Sequence, residues 1–311
     1  LQTVKGAVMT KNDITRGLID FAVSQCLKNI KEDPYRSIRR LADLGRQFAK
    51  GRFQEELFSL FQRLLLNEDG PYYEMLKQLV SSVDTDSLKT LGINIGYNSW
   101  TCGASRLRQI TAEKDYPHWL AEISLSPESS ASQLKEQLSA ALKNGTYAFR
   151  LHMPAQSITT DTRQLGLIRE FPDCSFFLDF MDTDCTYSDD LLELTCSCDN
   201  LAFLVPFGSL QSRQLVDLLN ARQRIYGVCR TYDNTNAAER ISDSQISEML
   251  SWGSPLLFFL AADDTTQDNR LLVDNAILDA RLHQTYPALL IHLDADVARI
   301  QQLLLSSRKN L

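Results

Sequence analysis

The sequence lacks most of the short motifs that identify an enzyme from its residues alone. Its 311 residues contain no G-x-G-x-x-G fingerprint, no phosphate-binding loop, no H-E-x-x-H zinc motif and no G-x-S-x-G nucleophile elbow. These absences argue against a dinucleotide-binding fold, a nucleoside triphosphatase, a zinc peptidase and an α/β-hydrolase. No single residue stands out as catalytic.

Long apolar runs are also missing. The longest, such as residues 254–262, fall well short of the ~18 to 20 residues that cross a bilayer. No apolar leader with a small-residue cleavage site stands at the start. The chain is 44% hydrophobic and 23% charged, which is typical of a globular protein and excludes a fibrous or disordered one. We expect no transmembrane segment.

The seven cysteines do not form a disulfide framework, because their number is odd and they are scattered along the chain. This pattern is typical of a reducing compartment and predicts a cytoplasmic protein. The only close pair is Cys196 and Cys198, which with Cys185 could hold a metal. Isolated buried thiols are the favoured interpretation.

The net charge of −7 is not accompanied by a basic stripe interleaved with aromatic residues. Such a stripe is the usual mark of nucleic-acid binding. Nucleic acid is therefore not an expected partner.

The first third of the sequence has the apolar spacing of amphipathic helices. Apolar residues recur every three or four positions in four stretches, which begin near Asn12, Pro34, Gly51 and Pro71. We predict an all-helical extension over residues 1–90, followed by a connecting segment over residues 91–118.

Residues 119–311 alternate strand-like runs with amphipathic helices. The predicted strands are 119–125, 147–153, 175–181, 201–207, 224–230, 255–261 and 289–293, and helices are predicted between most of them, for example at 132–143, 161–170, 209–221 and 242–252. This alternation predicts a parallel sheet. Because no strand is followed by a dinucleotide fingerprint, an α/β protein with a partial or complete β/α barrel, the TIM-barrel architecture, is favoured over a Rossmann fold.

Two long strings, AVMTKNDITRGLIDFAV at 7–23 and LGINIGYNSWTCGA at 91–104, resemble the N-terminal helical extension of a group of radical S-adenosylmethionine (radical SAM) proteins. The similarity continues more faintly but collinearly into the barrel, where FPDCSF at 171–176 precedes the third strand. The resemblance implies a partial (β/α) barrel of the radical SAM type over residues 119–311.

The sequence departs from that family at two places. Radical SAM enzymes bind a four-iron cluster through a C-x-x-x-C-x-x-C loop after the first strand, whereas here no cysteine lies between Cys102 and Cys174. The family's Gly-Gly-Glu-Pro turn, which contacts the amino group of SAM, is replaced by PAQS at 154–157. Both departures predict that the cluster and SAM are absent and that no cofactor is needed.

Polar side chains stand near the ends of the predicted strands, where (β/α) barrels build their sites. The candidate ligand-binding residues are Arg150, His152, Gln156, Asp179, Asp182, Arg230, Asp263, His292 and Asp294. If they converge, His152, Asp179, His292 and Asp294 would form a divalent-metal site. The favoured interpretation is a set of solvated charges and internal Arg–Asp pairs. Glu122 lies inside the first predicted strand.

These observations favour a degenerate radical SAM-like pseudoenzyme that lacks the iron-sulfur cluster and acts as a binding or regulatory partner. A cluster-containing relative with the same extension would be its partner by analogy. One alternative is a divalent-metal-dependent hydrolase or lyase, and another is a small-ligand binding module at the polar mouth of the barrel. Ligand, oligomeric state and closure of the barrel are left open.

Overall fold

The computed structural model describes residues 11–28, 30–49, 51–110, 117–125, 130–153, 162–180, 193 and 196–306. The chain begins with helices α1 Lys11–Leu27, α2 Pro34–Phe48, α3 Arg52–Leu64, α4 Pro71–Ser82 and α5 Thr85–Ile93, a π-helix Asn94–Gly103 and α6 Ala104–Ile110. Two of these helices, α2 and α5, start at a side-chain cap. Asp33 accepts a hydrogen bond from the Arg36 amide and is followed by Pro34, and Asp84 accepts one from the Ser87 amide.

Seven parallel strands follow and form one sheet in sequence order. They are β1 Leu120–Ser124, β2 Ala148–Met153, β3 Ser175–Phe180, β4 Leu201–Pro206, β5 Tyr226–Tyr232, β6 Leu256–Ala261 and β7 Leu289–His292. In the described part of the chain, β1 and β7 are the two edges of the sheet and do not pair. The protein is therefore an α/β protein whose curled sheet forms an open half-barrel.

Helices cover the convex side of the sheet. They are α7 Ala131–Lys143, α8 Thr162–Gly166 with a 3₁₀ turn Leu167–Glu170, α9 Leu210–Ala221, α10 Ala237–Arg240, α11 Asp243–Leu250 and α12 Gln267–His283, and a last helix, α13 Leu293–Ser306, follows β7. Alternate strand residues, among them Phe149, Phe176 and Phe203, pack against these helices in the main hydrophobic core. The strand residues at the intervening positions, which include Leu204 and Phe258, line the concave side.

The last helix, α13, reaches from one edge of the sheet to the other. Its Gln301 Oε1 accepts a 2.9 Å hydrogen bond from the Trp119 amide, and the Val297 carbonyl accepts a 3.0 Å bond from Trp119 Nε1. Leu304 packs with Leu120 of β1. Because α13 starts directly after β7, it links β7 to β1 where further strands would close a full barrel.

The π-helix is held against the loop that precedes β3. Asn94 Nδ2 donates 2.9 Å hydrogen bonds to the carbonyls of Pro172 and Cys174, and Asn98 Nδ2 donates to the Asp173 carbonyl at 2.9 Å. Asn94 Oδ1 accepts from Asn98 Nδ2. These contacts place the helical extension at the end of the half-barrel where the strands begin.

Other contacts fix the same end. The Asp84 amide donates to the Gln223 carbonyl, which precedes β5, at 2.8 Å. Gly103 approaches the turn before β2 so closely that a Cβ on it would lie 2.3 Å from the Gly145 carbonyl, and Gly145 itself has a φ of +98°. Only glycine fits both positions. The extension therefore packs across the N-terminal ends of the strands, opposite the ends where barrel sites form.

The predicted strands are all present, with shifted ends. β5 is Tyr226–Tyr232 instead of 224–230, and β7 ends at His292, so Asp294 lies in the first turn of α13. Residues 94–110 of the predicted connecting segment are helical and continue α5. In the part of the chain that the structure describes, no helix combines the length and apolar character that a membrane span requires.

We expect Asn94→Ala to lower the free energy of unfolding by about 1–3 kcal/mol, because buried polar partners lose their hydrogen bonds. Asn94 is fully buried at this junction. Urea unfolding followed by circular dichroism measures the change. Asn144→Ala, at an exposed position after α7, is the matched control. Equal effects of the two substitutions would contradict the assigned role of Asn94.

Candidate functional site

Four polar residues meet on the concave side of β1, β2 and β3. The strand register pairs Glu122 with Arg150, and His152 with Asp179. Because side chains alternate along a strand, these four residues lie on the face opposite the convex core. We call Glu122, Arg150, His152 and Asp179 the β1–β3 cluster.

Arg150 is the centre of the β1–β3 cluster. Its Nε and Nη2 donate to Asp179 Oδ2 at 2.9 and 2.6 Å, and its Nη1 donates to Glu122 Oε1 at 3.0 Å. The side chains of Arg150 and Asp179 are each only 7% exposed. Water therefore screens this pair little, and the guanidinium offsets the burial of the Asp179 carboxylate.

His152 completes the β1–β3 cluster with a second positive charge. Its Nε2 lies 3.4 Å from Glu122 Oε2, and its Nδ1 makes a 3.3 Å ion-pair contact with Asp179 Oδ2 that is not an aligned hydrogen bond. Contacts with the carboxylates of Asp179 and Glu122 raise the pKa of His152 to about 9, against burial and the repulsion of Arg150. The contact with His152, helped by Arg150, lowers the pKa of Glu122 to about 2.

The β1–β3 cluster is consequently neutral near pH 7, with two cations facing two carboxylates. A histidine that holds its proton up to pH 9 is a poor general base at neutral pH. A metal would have to displace that proton before it could bind the imidazole. The arrangement is that of an internally compensated ion network in which Glu122, about half exposed, is the group that meets solvent.

His292 does not join this cluster, which corrects the four-residue metal site considered from the sequence. It pairs in register with Phe259, a residue of the convex core. Its Nε2 lies 2.7 Å from the Tyr232 hydroxyl and its Nδ1 lies 3.4 Å from Asp274 of α12. The alternation of β7 turns His292 toward α12 and away from the concave side.

Asp294 is also separate from the cluster. It is exposed in the first turn of α13, and Arg270 Nη1 lies 3.7 Å from its Oδ2. Of the four proposed ligands, only His152 and Asp179 are in contact. Among the described residues, no group of three or more histidine, cysteine, aspartate or glutamate side chains is arranged to hold a metal ion.

The remaining candidates are dispersed or lie outside the described residues. The guanidinium carbon of Arg230 lies 4.7 Å from the centre of the Phe207 ring, and Asp263 is exposed in the turn after β6. Gln156 and Asp182 fall outside the described residues. The structure thus brings together three of the nine sequence candidates.

The structure adds Glu122, which the sequence placed inside the first strand but not at the site. Its parity along β1 matches that of Arg150 along β2. The missing information was which residue of β2 lies beside Glu122, because the pairing joins two strands that are far apart in the sequence.

Cys196 and Cys198 are both buried. Burial raises the pKa of each thiol, so both are neutral near pH 7. This agrees with the interpretation of buried thiols and gives no support to a thiolate metal site. Cys185 lies outside the described residues.

No protein-family model matches this chain, and no curated protein matches its sequence. The half-barrel and the chemistry of its concave side therefore carry the functional interpretation.

The raised pKa of His152 predicts a pH-dependent stability. The stabilisation is fully present below the unfolded-state value of 6.5 and is lost as pH rises through the folded-state value of about 9. Its total is roughly 3 kcal/mol at most. His152→Gln should remove this part of the decline in urea-unfolding free energy, whereas His283→Gln, at a side chain 62% exposed on α12, should leave it. An unchanged decline in His152→Gln would refute the assignment.

The internal compensation of the cluster predicts that removal of Arg150 is costly. Arg150→Met should destabilise the protein by about 3 kcal/mol, because the buried Asp179 carboxylate loses its main partner. Adding Asp179→Asn to that variant should recover part of the loss, since the excess negative charge disappears. Arg213→Met, at a half-exposed arginine on α9, is the control. A double variant no more stable than Arg150→Met would contradict a compensated network.

Proposed function

We propose that this protein is a non-catalytic relative of the radical SAM proteins, with a partial barrel of their type, that acts by binding. The open half-barrel of parallel strands supports the proposal. The similarity of residues 7–23 and 91–104 to a helical extension of such proteins supports it from the sequence. Under this proposal the protein carries out no radical reaction and holds neither the four-iron cluster nor SAM.

The connection between β1 and α7 is the observation that carries the proposal. β1 ends at Ser124 and α7 begins at Ala131, which leaves residues 125–130 between them. This connection is shorter than a C-x-x-x-C-x-x-C motif and contains no cysteine. Serine, proline and glutamate side chains offer no soft ligand that replaces three thiolates. Ser130 instead caps α7 in a reciprocal pair with Gln133.

The β1–β3 cluster supports the same proposal. It lies on the concave side of the strands that flank this connection, and its charges neutralise one another. Its protonated histidine and paired carboxylates also give less support to the metal-dependent hydrolase or lyase. We place the binding role with a protein partner, and a cluster-containing relative that carries the same helical extension would be the natural one.

The net charge and the cysteines of the chain indicate the compartment and the kind of partner. The described cysteines form no disulfide, which is the pattern expected of a reducing compartment. The net charge of −7 disfavours a nucleic-acid partner. We therefore propose a cytoplasmic protein that binds another protein.

Anaerobic reconstitution with iron and sulfide tests the proposal. We expect no stoichiometric four-iron cluster, measured by iron and sulfide analysis and by visible absorption, and no reductive cleavage of SAM. A cluster-binding radical SAM enzyme treated in parallel is the positive control. The Cys26→Ser/Cys102→Ser variant identifies iron held adventitiously by the two cysteines that are partly exposed among those the structure describes. Stoichiometric cluster uptake with SAM cleavage would overturn the proposal.

Thermal unfolding with added zinc, manganese or magnesium distinguishes the proposed binding protein from a metal-dependent hydrolase or lyase. We expect an unchanged melting temperature at neutral pH, because bound metal would have to replace the His152 proton. A metal-dependent rise that disappears in His152→Gln would favour the hydrolase or lyase instead.

A further inference from the structure

The helical extension contains a large apolar cavity. Its volume is about 340 Å³, and it is lined by residues of α1 to α5 and of the π-helix. The lining is dominated by side chains such as Val23, Leu41, Phe58, Leu76 and Leu88. Ligand pockets commonly measure ~300–1,000 Å³, and an engineered apolar cavity of ~150 Å³ already binds benzene.

Two glycines form part of the cavity wall, although no neighbouring side chain or backbone segment requires a glycine at either position. Gly92 and Gly96 lie about one helical turn apart, and a Cβ built on either would meet no heavy atom within 4 Å beyond its own stretch of helix. A glycine inside a helix is less stable than alanine by roughly 0.5–1 kcal/mol. Gly45 differs, because a Cβ there would meet the Phe58 ring at 2.1 Å. The space beside Gly92 and Gly96 is therefore kept open at a cost in stability.

The same stretch is anchored on its other side. Asn94 and Asn98 alternate with these glycines and bind the loop before β3. The barrel thus fixes the helix that carries the glycine wall. A π-helix begins at Asn94, and segments of this type are frequent at functional sites.

Lys89 is the charged residue among those that line the cavity. Its Nζ lies 3.6 Å from a carboxylate oxygen of Asp20 and 3.6 Å from one of Asp86. Both carboxylates are mostly solvent-exposed, at 52% and 72%, and exposed pairs of this kind are weak. The Lys89 ammonium is therefore able to exchange them for the anionic head of a ligand.

We propose that this cavity binds a medium-chain carboxylate amphiphile, with its alkyl chain along Gly92 and Gly96 and its carboxylate at Lys89. A volume of about 340 Å³ lies near the lower end of the ~300–1,000 Å³ range of small-ligand pockets, so a saturated chain of about ten carbons is the first ligand to test. The site is distinct from the β1–β3 cluster and does not depend on the proposed function.

Titration of the full chain with decanoate tests this site, by calorimetry and by thermal unfolding. We expect saturable binding and a melting temperature that rises with decanoate concentration. Gly96→Leu should weaken decanoate binding by about tenfold or more, because its side chain fills the chamber. Gly17→Leu is the matched control, since Gly17 lies in α1, also has open space at its Cβ and does not line the cavity. Its decanoate binding should equal that of the wild type.

Two further variants test where the alkyl chain and the carboxylate of decanoate bind. Gly92→Ala/Gly96→Ala adds carbons that meet no heavy atom within 4 Å, so it keeps the fold and should shift the preference from decanoate to octanoate. Lys89→Met should weaken decanoate but not 1-decanol. The proposal is overturned if decanoate fails to bind saturably, if Gly96→Leu and Gly17→Leu bind it alike, or if Lys89→Met affects acid and alcohol equally.

Discussion

The structure depends on one constraint: a curled parallel sheet must bury both of its faces. Helices α7 to α12 cover the convex face and enclose the main core. The extension packs at the end where the strands begin, through contacts such as those of Asn94 and Asp84. Because the described sheet has two free edges, α13 must also link β7 to β1. The positions of α7 to α13 follow from covering this sheet, whereas α1 and α2 pack with α4 around a core of their own.

Burial on the concave side also decides the chemistry there. Charged residues that share that face have little water to solvate them, so they must solvate one another. Arg150 does this for Asp179 and Glu122, and His152 takes up a proton for the same reason. The result is a polar cluster whose described cations and carboxylates are paired with one another. The open chamber in the extension stands in contrast, because there the polar groups are few.

Much of the fold was predictable because it rests on local patterns. Strand runs and helical stripes gave all seven strands and the first four helices. The predicted end of the fifth strand was wrong by two residues, and no helix was predicted over 294–306. No secondary structure was predicted for the connecting segment, and its residues 94–110 are helical and follow α5 directly. The stability of that segment comes from Asn94 and Asn98 binding a loop far along the chain, which no window of sequence contains.

The sequence by itself determined the order of elements, the absence of thiolates after the first strand and the residue types at the strand ends. Only the tertiary structure decided which of those residues meet. His152 and Asp179 face each other because β2 and β3 pair in a particular register, whereas His292 points to α12. Likewise, no sequence pattern marks Gly92 and Gly96 as lining residues. They form part of the cavity wall only because the helices of the extension pack around them. These contacts depend on strand pairing and on helix packing between segments far apart in the sequence, so they cannot be inferred from a short stretch of it.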